Sequence, residues 1–137
     1  MYCVEKTWKF RIGHRLRGHP KCGNVHGEWM QVTLTWGSDT LDENGMVVDF
    51  GVLSDLVGKK LEELFDHVFL VDKRDTQMLR ALEMLGVKYL EMEGAPTAEN
   101  IAKFIYREFR HVVPRCELVR VKVVESENNT AYYTEEC

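Results

Sequence analysis

No stretch of this sequence is apolar for long enough to span a bilayer, which leaves no place for a helical membrane anchor. Cysteine is sparse and poorly spaced for its two common structural uses. Cys3, Cys22, Cys116 and Cys137 contain no CxxC pair, so neither a disulfide framework nor a four-thiolate zinc site is indicated. The opening residues MYCVEKTWKF lack the basic flank, apolar block and small-residue cleavage site of a secretory signal. A cytoplasmic protein with reduced thiols is therefore expected. Repeats, low-complexity tracts and linkers are absent as well, and 137 residues divided in two would leave each half too small to bury a good core. The expectation is one domain over residues 1–137. Acidic residues are missing from one place only. Six of the 18 lysines and arginines lie between Lys6 and Lys21, where there is no Asp or Glu, although the net charge of the chain is −4. The overall charge argues against a general nucleic-acid binder, whereas the local excess is either a solvated strand face or a surface that meets an anion.

What is present reads as an α+β protein. From Thr7 to His14 the apolar residues Trp8, Phe10 and Ile12 alternate with Lys9, Arg11 and Gly13, the pattern of a half-buried strand. After the turn-rich RGHPKCGN, a second alternating run places His26, Glu28, Met30, Val32 and Leu34 on one face, and the two runs should pair antiparallel. Leu53, Leu56, Val57, Leu61 and Leu64 recur at helical spacing over Val52 to Leu64, with Asp49 or Ser54 available to begin the helix. A second helix follows Pro96, with Thr97 as its N-cap and Ile101, Phe104, Ile105 and Phe109 on its apolar face, and Pro114 ends that unit. CELVRVKVVE and TAYYT read as two more strands. Val68 to Gly94 is irregular, with an added helix over Met78 to Leu85 and a short strand over Val87 to Met92. The layout is a four-stranded antiparallel sheet with two main helices on one face and a helix–strand insertion between them.

One stretch, CGNVHGE, concentrates the chemistry. Side chains two apart on a strand point the same way, so His26 and Glu28 share a face, and His14 ends the paired strand with its own apolar face inward. Two imidazoles and a carboxylate at one sheet edge form a set that binds zinc with a position left open, and the same set occurs in non-haem iron sites. A hydrogen-bonded His-x-Glu pair without metal is the plainer alternative. His111 looks like a helix C-terminal residue favoured by the dipole.

Taken together, FRIGHRL, KCGNVHGE, GMVVDF, FDHVFL, PTAENIA and ESENNTAYY resemble, in this order, the 6-pyruvoyltetrahydropterin synthase and 6-carboxytetrahydropterin synthase family over nearly the whole chain. The resemblance implies the tunnelling fold (T-fold), in which trimers close their sheets into a barrel and two trimers often stack. A homotrimer or homohexamer with active sites at subunit boundaries is thus expected. His14 and His26 match two of the family's three zinc-binding histidines, and Glu28 stands where the third is found. A carboxylate there can ligate Zn2+, but it lowers the net charge of the site by one unit and weakens the metal as a Lewis acid. His19, in the RGHPK turn, is the alternative third imidazole.

The resemblance further implies that Cys22 is the catalytic cysteine, in the C-x3-H spacing of the 6-carboxy branch, with Asp66 and His67 as its proton-relay partners. A buried Cys22 and a simple helix-terminal cap at Asp66–His67 are the competing structural roles. Glu125, at the end of a stripe of Val119, Val121 and Val123, matches the glutamate that anchors the pterin ring, and Thr97 resembles a threonine near it. The implied activity is that of a metal-dependent lyase acting on 7,8-dihydroneopterin triphosphate, with Arg11, Arg15 or Lys21 near its phosphates. Triphosphate is lost and the side chain is cleaved to acetaldehyde, in queuosine and 7-deazapurine synthesis. The implied partners are this small-molecule substrate and further copies of the chain, with no nucleic acid and no membrane.

Overall fold

The computed structural model describes residues 1–135, so Cys137 lies outside the described residues. The first two runs form long strands, β1 (Tyr2–His14) and β2 (His26–Ser38), paired antiparallel with Phe10 opposite Met30 and His14 opposite His26. β1 begins five residues before the expected Thr7. Burial does alternate there, with Val4 and Lys6 half-buried between exposed Cys3, Glu5 and Thr7, but one of the half-buried positions is a lysine, so the letters show no apolar period.

The helical segment after β2 starts at Asp49, whose side chain accepts from the Gly51 N–H, which decides between the two candidate caps. It runs as α1 (Phe50–Leu53), a π-helical turn over Ser54–Gly58 and α2 (Lys59–Phe65). The wide turn lies against β1, where a side chain on Gly58 would come within 2.7 Å of the Trp8 indole nitrogen. Phe65, fully buried, stacks against Phe10 on the sheet and Phe104 on a later helix, and so ties three elements together.

The region expected to be irregular supplies the main correction. Its added helix and short strand are present as α3 (Thr76–Leu85) and β4 (Tyr89–Met92), but an unexpected strand, β3 (Val68–Asp72), precedes them. β3 joins the sheet parallel to β1 at Ile12 and Gly13, and β4 lies parallel to β3. Then come α4 (Ala98–Phe109), β5 (Glu117–Glu125) and β6 (Asn129–Tyr133). The sheet therefore has six strands in the order β4-β3-β1-β2-β5-β6 and is mixed, where four antiparallel strands were expected. VFLVD does not alternate because it is buried from both sides. Val68 and Leu70 enter the main core, whereas Val71 packs with Met78 and Leu82 of α3 on the opposite face. The two main helices do share a face, and they cover Met30, Val32, Leu34 and Trp36 with Leu61, Ile101, Ile105 and Phe109.

These pairings fix where the chemistry gathers. The end of β1, the start of β2, the end of β5 and the N-terminus of α4 all meet at one end of the sheet, on its helix-covered face.

Candidate metal centre

His14 is buried, and its Nδ1 lies 2.9 Å from the Pro96 carbonyl oxygen. A carbonyl can only accept, so Nδ1 carries the hydrogen. Burial is the largest influence on the ring and lowers its pKa, which favours the neutral form with a lone pair on Nε2. His26 is set in the same way: its Nδ1 donates to the Asn24 carbonyl at 2.8 Å. Backbone oxygens thus fix both tautomers and turn both Nε2 lone pairs to the same side, the arrangement that prepares histidines for a metal.

Glu28 closes the set. Its Oε1 lies 3.0 Å from His14 Nε2 and its Oε2 lies 3.9 Å from His26 Nε2. The two imidazole centroids are 4.6 Å apart, and one donor atom from each of the three residues lies within 4.8 Å of the others. Despite its short contact, Glu28 Oε1 is buried without a hydrogen-bond partner. The tautomer explains this: an imidazole lone pair and a carboxylate lone pair face each other with no hydrogen between them. Such a contact is repulsive until a cation stands between the donors, so these residues fit a divalent metal on their own chemistry.

Glu125 ends β5 opposite Met30, on the face that carries Glu28. Its Oε1 is a second buried oxygen without a partner. Burial, followed by the adjacent charges of Glu28 and Glu99, pushes its pKa up to about 7. A carboxylate in that position calls for a donor from a bound molecule.

His19 is turned to its own loop, where its Nδ1 accepts from the backbone N–H of Cys22 at 2.9 Å and of Lys21 at 3.2 Å. Leu16 N–H donates to the Cys22 carbonyl at 2.6 Å, and a side chain on Gly23 would meet the His19 carbonyl at 2.6 Å, so the loop needs glycine there. Cys22 is half-buried on this loop. Asp66 caps the end of α2, and His67 follows in the left-handed region at φ 55°. His67 Nδ1 donates to Asp66 Oδ1 at 3.0 Å, its N–H bonds the Arg11 carbonyl, and its ring is exposed. Among the described residues no hydrogen bond or ion pair joins Cys22, Asp66 or His67 to the histidine–glutamate trio. Thr97 accepts from Asn100 N–H at 3.2 Å as the N-cap of α4, next to the Pro96 that orients His14. Thr97→Ala should cost about 1 kcal/mol in chemical denaturation, with Thr97→Ser restoring most of it; an unchanged midpoint would remove the capping role.

The basic residues are divided. Arg11 lies over the Trp29 ring on the face of the sheet away from the main helices, its guanidinium carbon 4.4 Å from the ring centroid. Arg15 is gripped by Asp75 through two hydrogen bonds of 2.7 and 2.5 Å. Lys21 is exposed. Sequence reasoning missed the Pro96 and Asn24 carbonyls, which no side-chain pattern reveals, and also Asp75, whose position three residues before Met78 is a readable helix-cap signal. The 370 Å³ cleft lined by Tyr2, Leu41, Met46 and Phe50 lies at the far end of β1, with Asp49 as its one charged lining residue.

A family model described as 6-pyruvoyl tetrahydropterin synthase matches residues 3–136. The chain belongs to the 6-pyruvoyl tetrahydropterin synthase family. A 6-carboxy-5,6,7,8-tetrahydropterin synthase of Rickettsia felis is 36% identical, with 77% of this chain and 78% of that protein covered. One from Aquifex aeolicus is 32% identical, with 97% and 98% covered. Among solved structures, an uncharacterized protein of Wolinella succinogenes superposes with a TM-score of 0.87 at 20% identity, over 98% of each chain. The 6-pyruvoyl tetrahydropterin synthase of Caenorhabditis elegans does so at 0.72 and 20%, over 98% of this chain and 96% of that one. At that identity the superpositions speak for the fold alone, and it is the tunnelling fold. Membership of the pterin synthase family makes this chain an enzyme of synthase type and gives the His14, His26 and Glu28 cluster a family context as a possible metal site. No helix among the described residues is long and apolar enough to cross a membrane.

Proposed function

We propose that this chain is a 6-carboxy-5,6,7,8-tetrahydropterin synthase of the cytoplasm, a single-domain lyase that acts on 7,8-dihydroneopterin triphosphate and feeds 7-deazapurine and queuosine synthesis. The observation that carries the reading is the pair of tautomer-fixed histidines facing Glu28 at the end of the Cys22 loop. The names of the curated relatives at 31–37% identity support the 6-carboxy branch over the 6-pyruvoyl one.

His14, His26 and Glu28 would hold the metal, taken as Zn2+ from the family pattern, which when bound would polarise the side-chain oxygens of the substrate. Glu125 accepts from the ring nitrogen and exocyclic amine of the pterin and sets its side chain toward the trio. Cys22, as thiolate, takes the carbon-bound proton. His67, its tautomer fixed by Asp66, carries protons onward through the exposed Nε2. Loss of triphosphate follows, and one water then cleaves the bond between the first and second side-chain carbons: its oxygen stays on the first carbon as part of the carboxylate, and the other two carbons leave as acetaldehyde.

A homo-oligomer, trimer or hexamer, completes the site. Two open edges of the sheet support this. β1 pairs with β3 only at Ile12 and Gly13, so among the described residues its edge from Tyr2 to Phe10 is unpaired, and β6 is the opposite edge. Neither carries a proline, and bare edges of this kind invite strand pairing between copies.

Incubation with 7,8-dihydroneopterin triphosphate should yield 6-carboxytetrahydropterin, triphosphate and acetaldehyde. An intact 6-pyruvoyl product without acetaldehyde would reassign the chain to the biopterin-type reaction, and an untouched substrate would leave a pterin-binding homologue. Glu125→Gln should raise KM about 10–100-fold with bound metal retained; an unchanged KM would remove Glu125 from the ring pocket.

A further inference from the structure

Glu28 is a two-oxygen donor in a position where an imidazole would offer a single nitrogen. Its oxygens are not equivalent to the surroundings: Oε1 faces His14 Nε2 at 3.0 Å and Oε2 faces His26 Nε2 at 3.9 Å, so both are turned into the space between the rings. All three residues also approach from one side. His14 and His26 are direct cross-strand partners, and Glu28 stands two residues further along β2 on the same face. The protein therefore offers two nitrogens and up to two oxygens from one hemisphere, with one negative charge. A three-imidazole site offers three neutral nitrogens. Beside this set, Glu125 presents a further buried oxygen with no partner, suited to accept from a water or ligand held at the site.

We propose that Glu28 makes this a two-histidine, one-carboxylate facial site that holds a divalent ion with five or six ligands, and so accepts Mn(II) or Fe(II) as well as zinc. The inference rests on the metal-site reading above and deepens it. Carboxylate oxygen suits harder ions that favour octahedral surroundings, and a facial arrangement leaves the opposite positions open. Affinity for nearly any nitrogen–oxygen set still rises toward zinc, so Glu28 shows itself in coordination number and in relative affinities, not in an absolute preference.

Cobalt(II) substitution reads the coordination number directly, without reference to turnover. Metal-free protein titrated with Co(II) should show the weak visible bands of five- or six-fold coordination, and Glu28→His should shift them toward the intense bands of a four-coordinate ion. In parallel, Mn(II) binding followed by electron paramagnetic resonance should weaken at least about tenfold in Glu28→Gln and in Glu28→His, while Zn(II) remains bound to the latter. Intense four-coordinate bands in the wild-type protein would overturn the proposal and leave the metal site standing. If the wild-type protein binds neither Co(II) nor Mn(II) nor Zn(II), the metal reading itself falls. The wild-type spectrum decides the matter even if a variant fails to fold.

Discussion

Cys22→Ser should cut product formation about 10²–10⁴-fold, the usual range for a lost general base, with the metal content per chain unchanged. The separation of the two readouts follows from the geometry. Cys22 stands on the loop between β1 and β2, and neither its side chain nor its backbone touches His14, His26 or Glu28 through a hydrogen bond. The loop is shaped by main-chain contacts: Leu16 N–H to the Cys22 carbonyl, Cys22 N–H to His19 Nδ1, and the close pass at Gly23. A serine preserves all of these and nearly preserves the volume. What it removes is the ionisable thiol, since a serine hydroxyl is far too weak an acid to ionise to a useful extent near neutral pH. Acetaldehyde and triphosphate release measured beside metal content tests the claim. If Cys22→Ser works within threefold of the wild type, the base is another group, and the Asp66–His67 pair becomes the first to test. If the metal is lost along with activity, Cys22 is a ligand or a structural residue instead.

The elements that positioned the trio were legible because they obey simple periods. β1 and β2 alternate, and their pairing follows from that alternation, so His14, His26 and Glu28 could be placed on one face from the letters alone. Their lone-pair orientation could not, because it is set by two carbonyl oxygens, of Pro96 and Asn24, and backbone atoms leave no trace in residue type. Pro96 is 82 residues from His14, and their contact exists only once α4 docks on the sheet. β3 was hidden for a different reason: a strand buried on both faces shows neither period, and its five residues are too few for length to arbitrate. The side on which α3 packs was equally out of reach, since its amphipathic pattern says that one face is buried but not against what. Glu125 was found by an incongruity, a carboxylate closing a stripe of valines, and the structure gives that incongruity a physical form in an unpartnered buried oxygen.

Asp75→Asn should destabilise the fold by about 2–4 kcal/mol at neutral pH, somewhat below the usual cost of breaking a buried ion pair because Arg15 keeps some contact with water. Asp75 is itself buried, accepts the Arg15 fork at 2.7 and 2.5 Å, and caps α3 through Met78 N–H. Asparagine keeps the cap through Oδ1 but puts an amide that cannot accept where Oδ2 took the Arg15 Nε–H, so the loss reports the charged pair together with that hydrogen bond; Asp75→Ala should add about 1 kcal/mol for the cap. Pairing Asp75→Asn with Arg15→Met should recover much of the loss, because the stranded charge is then gone. The pH dependence has a definite sign. The Arg15 guanidinium holds the Asp75 carboxyl below its ordinary range, and Arg74 does the same for Asp72. Both groups therefore contribute stability that is fully present above the unfolded-state value near 3.9 and is lost as pH falls through their lower folded-state values. Urea midpoints should separate wild type from Asp75→Asn widely at pH 7 and progressively less below about pH 4. A gap that stays constant into acid would show that the loss comes from packing and not from charge. Arg15 directly follows His14, so the same fork holds the end of β1 on which that candidate ligand stands. Asp75→Asn should for that reason also weaken metal binding about tenfold, an effect a purely remote stabilising contact would not produce.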